Sequence, residues 1–377
     1  MKKMWIFPGI LLILFLVLWK VDVCAAETDL EERFLDELNL EEIDAAFRDL
    51  QGREQFRFTE AVKSLIQGEE PLTKENLLRL VKDTLFSSLQ EKRGMAVRIL
   101  MIVAVAAIFT NFTNAFEKSQ AADVSFYMMY LCLFTLLMQM FQDMSAMTLD
   151  TLNHVITFMK LLMPSYLLAS VFAGGSMTGT GFYELTLGMI LIIQWIVKYA
   201  VMPAIHLYVL FSMLNHLTSE DYLSKLADLL KTFVEWILKT LAALAIGVQT
   251  VQCLVLPAAD SLKTSALTRT VGAVPGLGNV FNGVTEVVLG SAVLIKNAVG
   301  AAGLIFLAVL CLVPLLKLGA GALLYRLIAA VVQPVSNKCM VECIESAGEG
   351  AGLLMKALLT VGVLFFLSVA MATASIR

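Results

Sequence analysis

The chain has 377 residues, of which 58% are hydrophobic and only 16% charged, and its mean hydropathy is +0.78. Soluble domains carry about 25% charged residues, so a soluble two-domain protein is excluded and a membrane protein is implied. A formal net charge of -4 with no basic cluster also excludes a nucleic-acid partner, because phosphate recognition needs a clustered basic surface.

The charge is unevenly placed. Residues 27–94 hold 17 acidic and 10 basic side chains, whereas 95–377 hold 14 and 15. The sequence thus divides into a signal segment (1–26), an acidic helical extracytoplasmic head (27–94) and a multi-pass membrane body (95–377). In the first segment Lys2 and Lys3 form a positive n-region, Ile10 to Trp19 an apolar core, and Cys24-Ala25-Ala26 a small-residue cleavage site. An uncleaved anchor remains open, because Trp19 and Lys20 sit close to that site; either way the head lies outside the cytoplasm.

Leu40, Ile43, Phe47 and Leu50 share one helical face in the head. Thr59 can cap a helix carrying Val62, Leu65 and Ile66 and ending at Gly68, and Pro71 and Thr73 open a third with Leu77, Leu80, Val81, Leu85 and Leu89. So small a bundle needs the membrane body or a partner to lean on.

The body reads as an all-α polytopic membrane protein. Apolar stretches cover roughly 96–116, 124–142, 152–173, 182–216, 233–257, 298–333 and 353–374. Counting interrupted stretches twice gives five to nine passes, with about seven as the central expectation. The expected helix breaks and loops are Pro164, Gly174, Gly175, Pro203, Pro257, Pro275, Gly276, Gly278 and Pro314. From Glu220 onward, Tyr222, Leu226, Leu230, Phe233 and Trp236 line one face, while Lys225, Asp228, Lys231, Glu235 and Lys239 line the other. That pattern predicts an amphipathic helix in the membrane plane, with the chain turning inward at about Leu238.

A weak internal repeat relates about 150–215 to 240–335: a proline, a Gly-rich stretch, then Tyr183-Glu184-Leu-Thr-Leu-Gly188 in one half and Thr285-Glu286-Val-Val-Leu-Gly290 in the other. Lys198 and Lys296 follow at similar distances. Ionisable residues in apolar runs are costly, which makes Glu184, Glu286, Lys198 and Lys296 the leading functional candidates. The repeat suggests pairing Glu184 with Lys296 and Glu286 with Lys198; helix-end residues that snorkel to the interface are the plainer alternative.

Enzyme and metal signatures are missing from the sequence. The three histidines form no His-Glu-x-x-His, Gly276-Leu277-Gly278-Asn279 lacks the carboxylate of an intramembrane aspartyl protease, and no nucleotide-binding loop occurs. Cys339 and Cys343 have helical spacing without a nearby histidine, so the cysteines read as small apolar fillers. No cofactor is expected.

Met163-Pro164-Ser-Tyr166, Gly181-Phe-Tyr-Glu-Leu185, Ser219 through Lys231, Trp236-Ile-Leu-Lys-Thr240, Pro275-Gly-Leu-Gly-Asn279, Val284 through Gly290, Ala292 through Asn297, Cys311-Leu-Val-Pro-Leu315 and Gln333-Pro334 together resemble stage III sporulation protein AE of endospore-forming Firmicutes. The resemblance covers nearly the whole chain and is densest from about 160 to 350; the head matches only in character. It implies a non-enzymatic, multi-pass subunit of the mother-cell membrane around the forespore, with its head in the intermembrane space. The implied partners are other subunits of the sporulation channel, or feeding tube, including ring-forming proteins and a separate ATPase. The residues alone leave open an autonomous secondary transporter with an intramembrane Glu site.

Overall fold

The structure is a computed structural model that describes residues 38, 40, 43–45, 57–69, 74–115, 120–173, 176–217, 222–271 and 278–375. The expected signal segment and Gly174, Gly175, Pro275 and Gly276 lie outside the described residues. Every regular element among the described residues is helical, which makes the protein an all-α membrane protein. The elements are α1 (Phe58–Ile66), α2 (Lys74–Ala115), α3 (Gln120–Phe172), α4 (Ser176–Ile196), a π-helical turn (Val197–Val201), α5 (Met202–Asn215), α6 (Ser224–Val271), α7 (Gly278–Val332) and α8 (Lys338–Ser375).

Four stretches among the described residues are long and apolar enough to cross a membrane: Val124–Phe172, Glu184–Asn215, Gly290–Val332 and Lys338–Ala374. The sequence predicts about seven passes; in the structure 124–142 and 152–173 join into one helix, and 96–116 and 233–257 are not among the four, while the expected proline breaks are also absent. Pro164 and Pro314 lie inside α3 and α7, and α6 runs on past Pro257. A proline removes one backbone hydrogen bond and crowds the preceding turn, but neighbouring helices in a membrane bundle can compensate. Pro203 falls at the start of α5, directly after the π turn, and the helical path continues through it. Of the expected loop glycines, Gly278 opens α7. With 53 residues, α3 is about 80 Å long, well over twice the hydrocarbon core of about 30 Å.

Side-chain pairs fix how the helices run. The turn at residues 333–337 folds α8 back on α7, so that Gly300 meets Thr373, Cys311 meets Gly362, Gly319 meets Met355 and Tyr325 meets Gly348. Each advance along one helix is a retreat along the other, over the whole length of an antiparallel pair. α3 is also antiparallel to α7, with Leu162 against Gly303, the Phe158 and Phe306 rings stacked at 6.4 Å, and Met144 against Gly321. The path from α4 to α5 folds back on α3, where the Tyr130 hydroxyl donates to the Met213 carbonyl at 2.5 Å and Ser145 Oγ lies 3.0 Å from His206 Nε2. α3, α6 and α8 therefore run one way, and α4, α5 and α7 the other. Small residues at these contacts let backbones approach closely, which is how membrane helices pack when lipid gives no hydrophobic incentive to associate.

The acidic head joins the same core. Leu38, Leu40, Ile43, Phe58, Val62 and Ile66 are buried, and Phe58 makes edge contacts with Phe158 and Phe306 at 6.2 and 5.2 Å. Asp44 caps α1: its carboxylate accepts from the Phe58 amide and from Thr59 Oγ1, the latter at 2.6 Å. Ser165 Oγ, one residue after Pro164, donates to the Leu38 carbonyl at 2.8 Å. α2 runs unbroken across the expected boundary between 94 and 95, joining the polar head to its own apolar half.

α6 is amphipathic as read, yet it does not turn at Leu238 and its apolar face points outward. Ala227, Val234, Leu238 and Leu241 are buried, while Tyr222 just before it and Leu226, Phe233 and Trp236 are exposed, Trp236 at 64%; Leu230 is half-buried. Lys225, Asp228 and Lys239 are exposed as well, so this half of α6 shows apolar and charged side chains at the surface together.

The tightest approach of α8 to α5 is at buried Gly350, where an added Cβ would overlap Val209 and come within 3.1 Å of the Phe141 ring; at Gly352 it would meet nothing within 4 Å. Gly350→Ala is expected to cost about 1–3 kcal/mol of stability. Gly352→Ala should be neutral or slightly stabilising. Thermal denaturation of both variants in detergent checks the contrast.

Candidate functional site

Five polar residues of α8 fall on one face. Glu342, Ser346, Glu349, Lys356 and Ser368 repeat at helical spacing and extend over 26 residues, about 39 Å. Ser346 and Ser368 are buried, Glu342 is half-buried, and Glu349 and Lys356 are exposed, so the stripe runs along the rim of the bundle, where side chains of other helices meet it.

α5 answers first. Tyr208 Oη donates to Glu349 Oε2, Ser212 Oγ donates to Ser346 Oγ at 2.9 Å, and the His216 ring at the end of α5 has Nδ1 3.2 Å from Glu342 Oε2 and Nε2 3.2 Å from Ser346 Oγ. The Ser346 hydroxyl in turn donates to the Glu342 carbonyl at 2.9 Å. Lys338, one turn earlier on α8, lies 3.5 Å from Glu342 at the exposed end of the row.

α6 supplies the counter-charges. Lys231 Nζ is 2.7 Å from Glu349 Oε2 and 5.8 Å from the centre of the Tyr208 ring, and Lys356 Nζ is 2.7 Å from Glu235 Oε1. The charges alternate: a cation then an anion on α6 meet an anion then a cation on α8. Farther along, Gln249 donates to Ser368 Oγ and, at 3.3 Å, to the Leu364 carbonyl. Gln249 Oε1 and both amide atoms of buried Gln252 find no hydrogen-bond partner. The seam thus passes from ion pairs to uncharged amides with spare polar capacity.

The residues singled out in the sequence are dispersed. Glu184 and Lys198 are exposed on the outer surface, and Lys198 Nζ sits 5.7 Å from the centre of the Tyr199 ring rather than on a carboxylate. Lys296 is wholly buried within α7. Glu286 belongs to α7, but its side chain lies outside the described residues, which leaves its expected pairing with Lys198 untouched. Glu184 makes no ion pair among the described residues, so the expected link to Lys296 is absent.

The seam residues on α5 and α8 were missed. Lys231 and Glu235 were visible as the polar face of an amphipathic segment, but Glu342, Glu349 and Lys356 stood at the margin of an apolar run. Their common helical face was the available signal.

A second charged group sits where α2, α3 and α7 meet. Lys92 Nζ is buried beside Gly321 and Met144 without a hydrogen-bond partner. Burial pushes this ammonium below the usual lysine range and Lys317 adds to the shift, while Glu91 and Asp143 oppose it.

These features define an integral membrane protein held together by a polar seam through its helical bundle. The family model for stage III sporulation protein AE matches residues 56–375, and the chain belongs to that family. It is 24% identical over 309 residues to the stage III sporulation protein AE of Bacillus subtilis (strain 168), covering 82% of this chain and 77% of that protein. No solved structure matches it. Family membership gives the protein a role in sporulation.

Reversing one charge, as in Lys231→Glu or Glu349→Lys, should lower the melting temperature, and the double exchange should restore part of the loss. The expected coupling is about 0.5–1 kcal/mol, because both side chains are partly exposed. Lys92→Met should be neutral or stabilising, since a buried ammonium without a partner gives way to an apolar chain of similar length. Thermal denaturation checks both; a large loss for Lys92→Met would show a partner that geometry does not reveal.

Proposed function

We propose that the protein is a non-enzymatic membrane subunit of the channel assembly that links mother cell and forespore. On this reading it lies in the mother-cell membrane around the engulfed forespore, its acidic head faces the intermembrane space, and the assembly sustains forespore development after engulfment. Its partners are the other membrane and ring-forming subunits, and ATP hydrolysis belongs to a separate protein.

The observation that carries the proposal, together with family membership, is the polar seam. A row of paired charges, hydroxyls and amides that extends about 39 Å along α8 exceeds the bilayer core of about 30 Å. Intramembrane polar residues are costly, and they commonly mark sites of passage or assembly. The alternative of an autonomous transporter draws on Glu184, Glu286 and the Gly-rich breaks; Glu184 is exposed, and the side chain of Glu286 lies outside the described residues.

Deletion of the gene in its own host tests the proposal through membrane-stained microscopy and heat-resistant spore counts after starvation. Forespores should complete engulfment, then shrink and stall, and resistant spores should fall sharply. Normal spores would discard the role. Rescue by a variant that moves a solute alone in vesicles would favour the transporter.

A further inference from the structure

The outer face of α3 reverses the usual order of a membrane-spanning helix. From Gln142 to Lys160, 18 residues and about 27 Å, every exposed position except Ala146 is polar: Gln142, Asp143, Asp150, Asn153, Thr157 and Lys160, all on one side of the helix. The inward side is apolar, with Met144, Leu152, Val155 and Phe158 buried. None of the six polar side chains makes an ion pair or a side-chain hydrogen bond among the described residues. Lys198 of α4, also exposed, stands beside the stripe, where it and Asn153 line a shallow depression with room for about one water.

The stripe lies inside Val124–Phe172 and Lys198 inside Glu184–Asn215, both long and apolar enough to cross a membrane. Contacts show what else shares this level. Leu162 meets Gly303, and about two turns away along α7 Cys311 meets Gly362, which puts Gly362 level with Asn153. Gln249 donates to the Leu364 carbonyl, so α6 passes this level near Gln249. There its outer side is apolar, with Leu244, Ile246, Val251 and Val255 exposed at 52%, 44%, 59% and 57%. α4 packs on both α3 and α6 and separates them. One slab of the bundle thus shows aliphatic side chains on one flank and carboxylates, amides and ammoniums on another. Water around the whole slab would strand the first flank, and lipid around the whole slab would strand the second. Ionisable side chains within spanning segments almost always face a bundle interior or a water-filled cavity.

We infer that this face of α3 lines a water-filled passage through the membrane, closed on its other sides by further copies of the chain. The inference rests on the channel reading and adds to it the wall of the conduit. Lys198 lines one depression with Leu149 and Asn153, so it stands within a turn of Asp150 in depth. Copies that share a membrane hold each residue at one depth, which sets Lys198 of one copy level with Asp150 of the next. With Lys198 the face carries two carboxylates, Asp143 and Asp150, and two ammoniums, so it meets another copy of itself without net repulsion. A wall of both signs with uncharged amides between them admits hydrated polar solutes and favours neither cations nor anions strongly.

The test uses the full chain in membranes of its own sporulating host, opened by freeze-thaw so that a membrane-impermeant thiol reagent reaches both faces. Exposed Cys132 is first replaced by Ser. Ala146→Cys, Asn153→Cys and Thr157→Cys on α3 should then react about tenfold faster than Leu244→Cys and Val251→Cys on α6, because the reactive thiolate forms only where water reaches it. Dissolving the bilayer in detergent should bring the α6 positions up to the α3 rate. Ala146→Cys changes least and must react even if the polar substitutions lower expression. Reaction on α3 as slow as on α6 overturns the inference, by showing lipid or a tight protein contact on this face. Fast reaction on both helices overturns it too, by placing the level outside the bilayer. For the copies, two differently tagged chains, one with Asp150→Cys and one with Lys198→Cys, are coexpressed and treated with a short bis-maleimide. A product carrying both tags is expected, and its absence overturns the part given to further copies. Stalled spores on gene deletion with protected α3 cysteines would keep the channel role and discard this wall, while reactive cysteines with normal spores would do the reverse.

Discussion

The polar face of α8 is the constraint around which the bundle is arranged. Glu342, Ser346, Glu349 and Lys356 cannot be left facing hydrocarbon, so α5 and α6 must sit where their own polar side chains meet them. Two exchanges of opposite charge then set the register of α6 on α8, because a shift by one turn would bring Lys231 away from Glu349 and Glu235 away from Lys356. The same pairs set the rotation of α6. Once Lys231 and Glu235 turn toward α8, the opposite stripe of Leu226, Phe233 and Trp236 has no position left but the outside. Ion pairs at a half-exposed rim each contribute little to stability. Their value lies in selecting one register among several that apolar packing alone would accept.

The other side of α8 is governed by shape. Along α7 and α8 the contacts alternate between glycine on one helix and a larger side chain on the other, at Gly300 with Thr373, Gly362 with Cys311 and Gly348 with Tyr325. Such pairs bring the backbones close and gain dispersion contacts, which is the main attraction open to helices already surrounded by lipid. α7 then offers its remaining surface to α3 through Gly303 and Gly321. Polar specificity on one flank and close steric fit on the other make α8 the helix that both halves of the bundle depend on.

How much of this was legible in the sequence differs from residue to residue. The two stripes of α6 could be read directly from spacing, but their direction could not, because the same pattern serves a helix on a soluble core with the opposite face inward. Only the partners on α8 decide it. Pro164, Pro257 and Pro314 misled for a related reason: proline ends helices where freed carbonyls can turn to water, and inside a bundle that alternative is missing. Glu184, Lys198 and Lys296 were rightly seen as unusual, yet linear spacing carries no information about which long helix lies beside which. The pairing along α8 is between residues more than a hundred positions apart. The one local clue, four polar residues on a single helical face, was hidden by reading α8 as beginning at its apolar half.

The head illustrates how a polar segment becomes part of a membrane core. Its small size calls for something to lean on, and Phe58 supplies it by reaching Phe158 on α3 and Phe306 on α7, while Asp44 holds the first turn of α1 so that Phe58 can point there. Phe306 lies on the same helix that packs along α8 through Gly300 and Gly319. Interiors packed at crystal-like density transmit displacement rather than absorb it. The head therefore rests on α3 and α7 together, and the continuous α7 and α8 pair joins it to the helix that carries Glu342, Glu349 and Lys356. Head and seam are separated in sequence by the length of the chain, yet one rigid pair of helices lies between them.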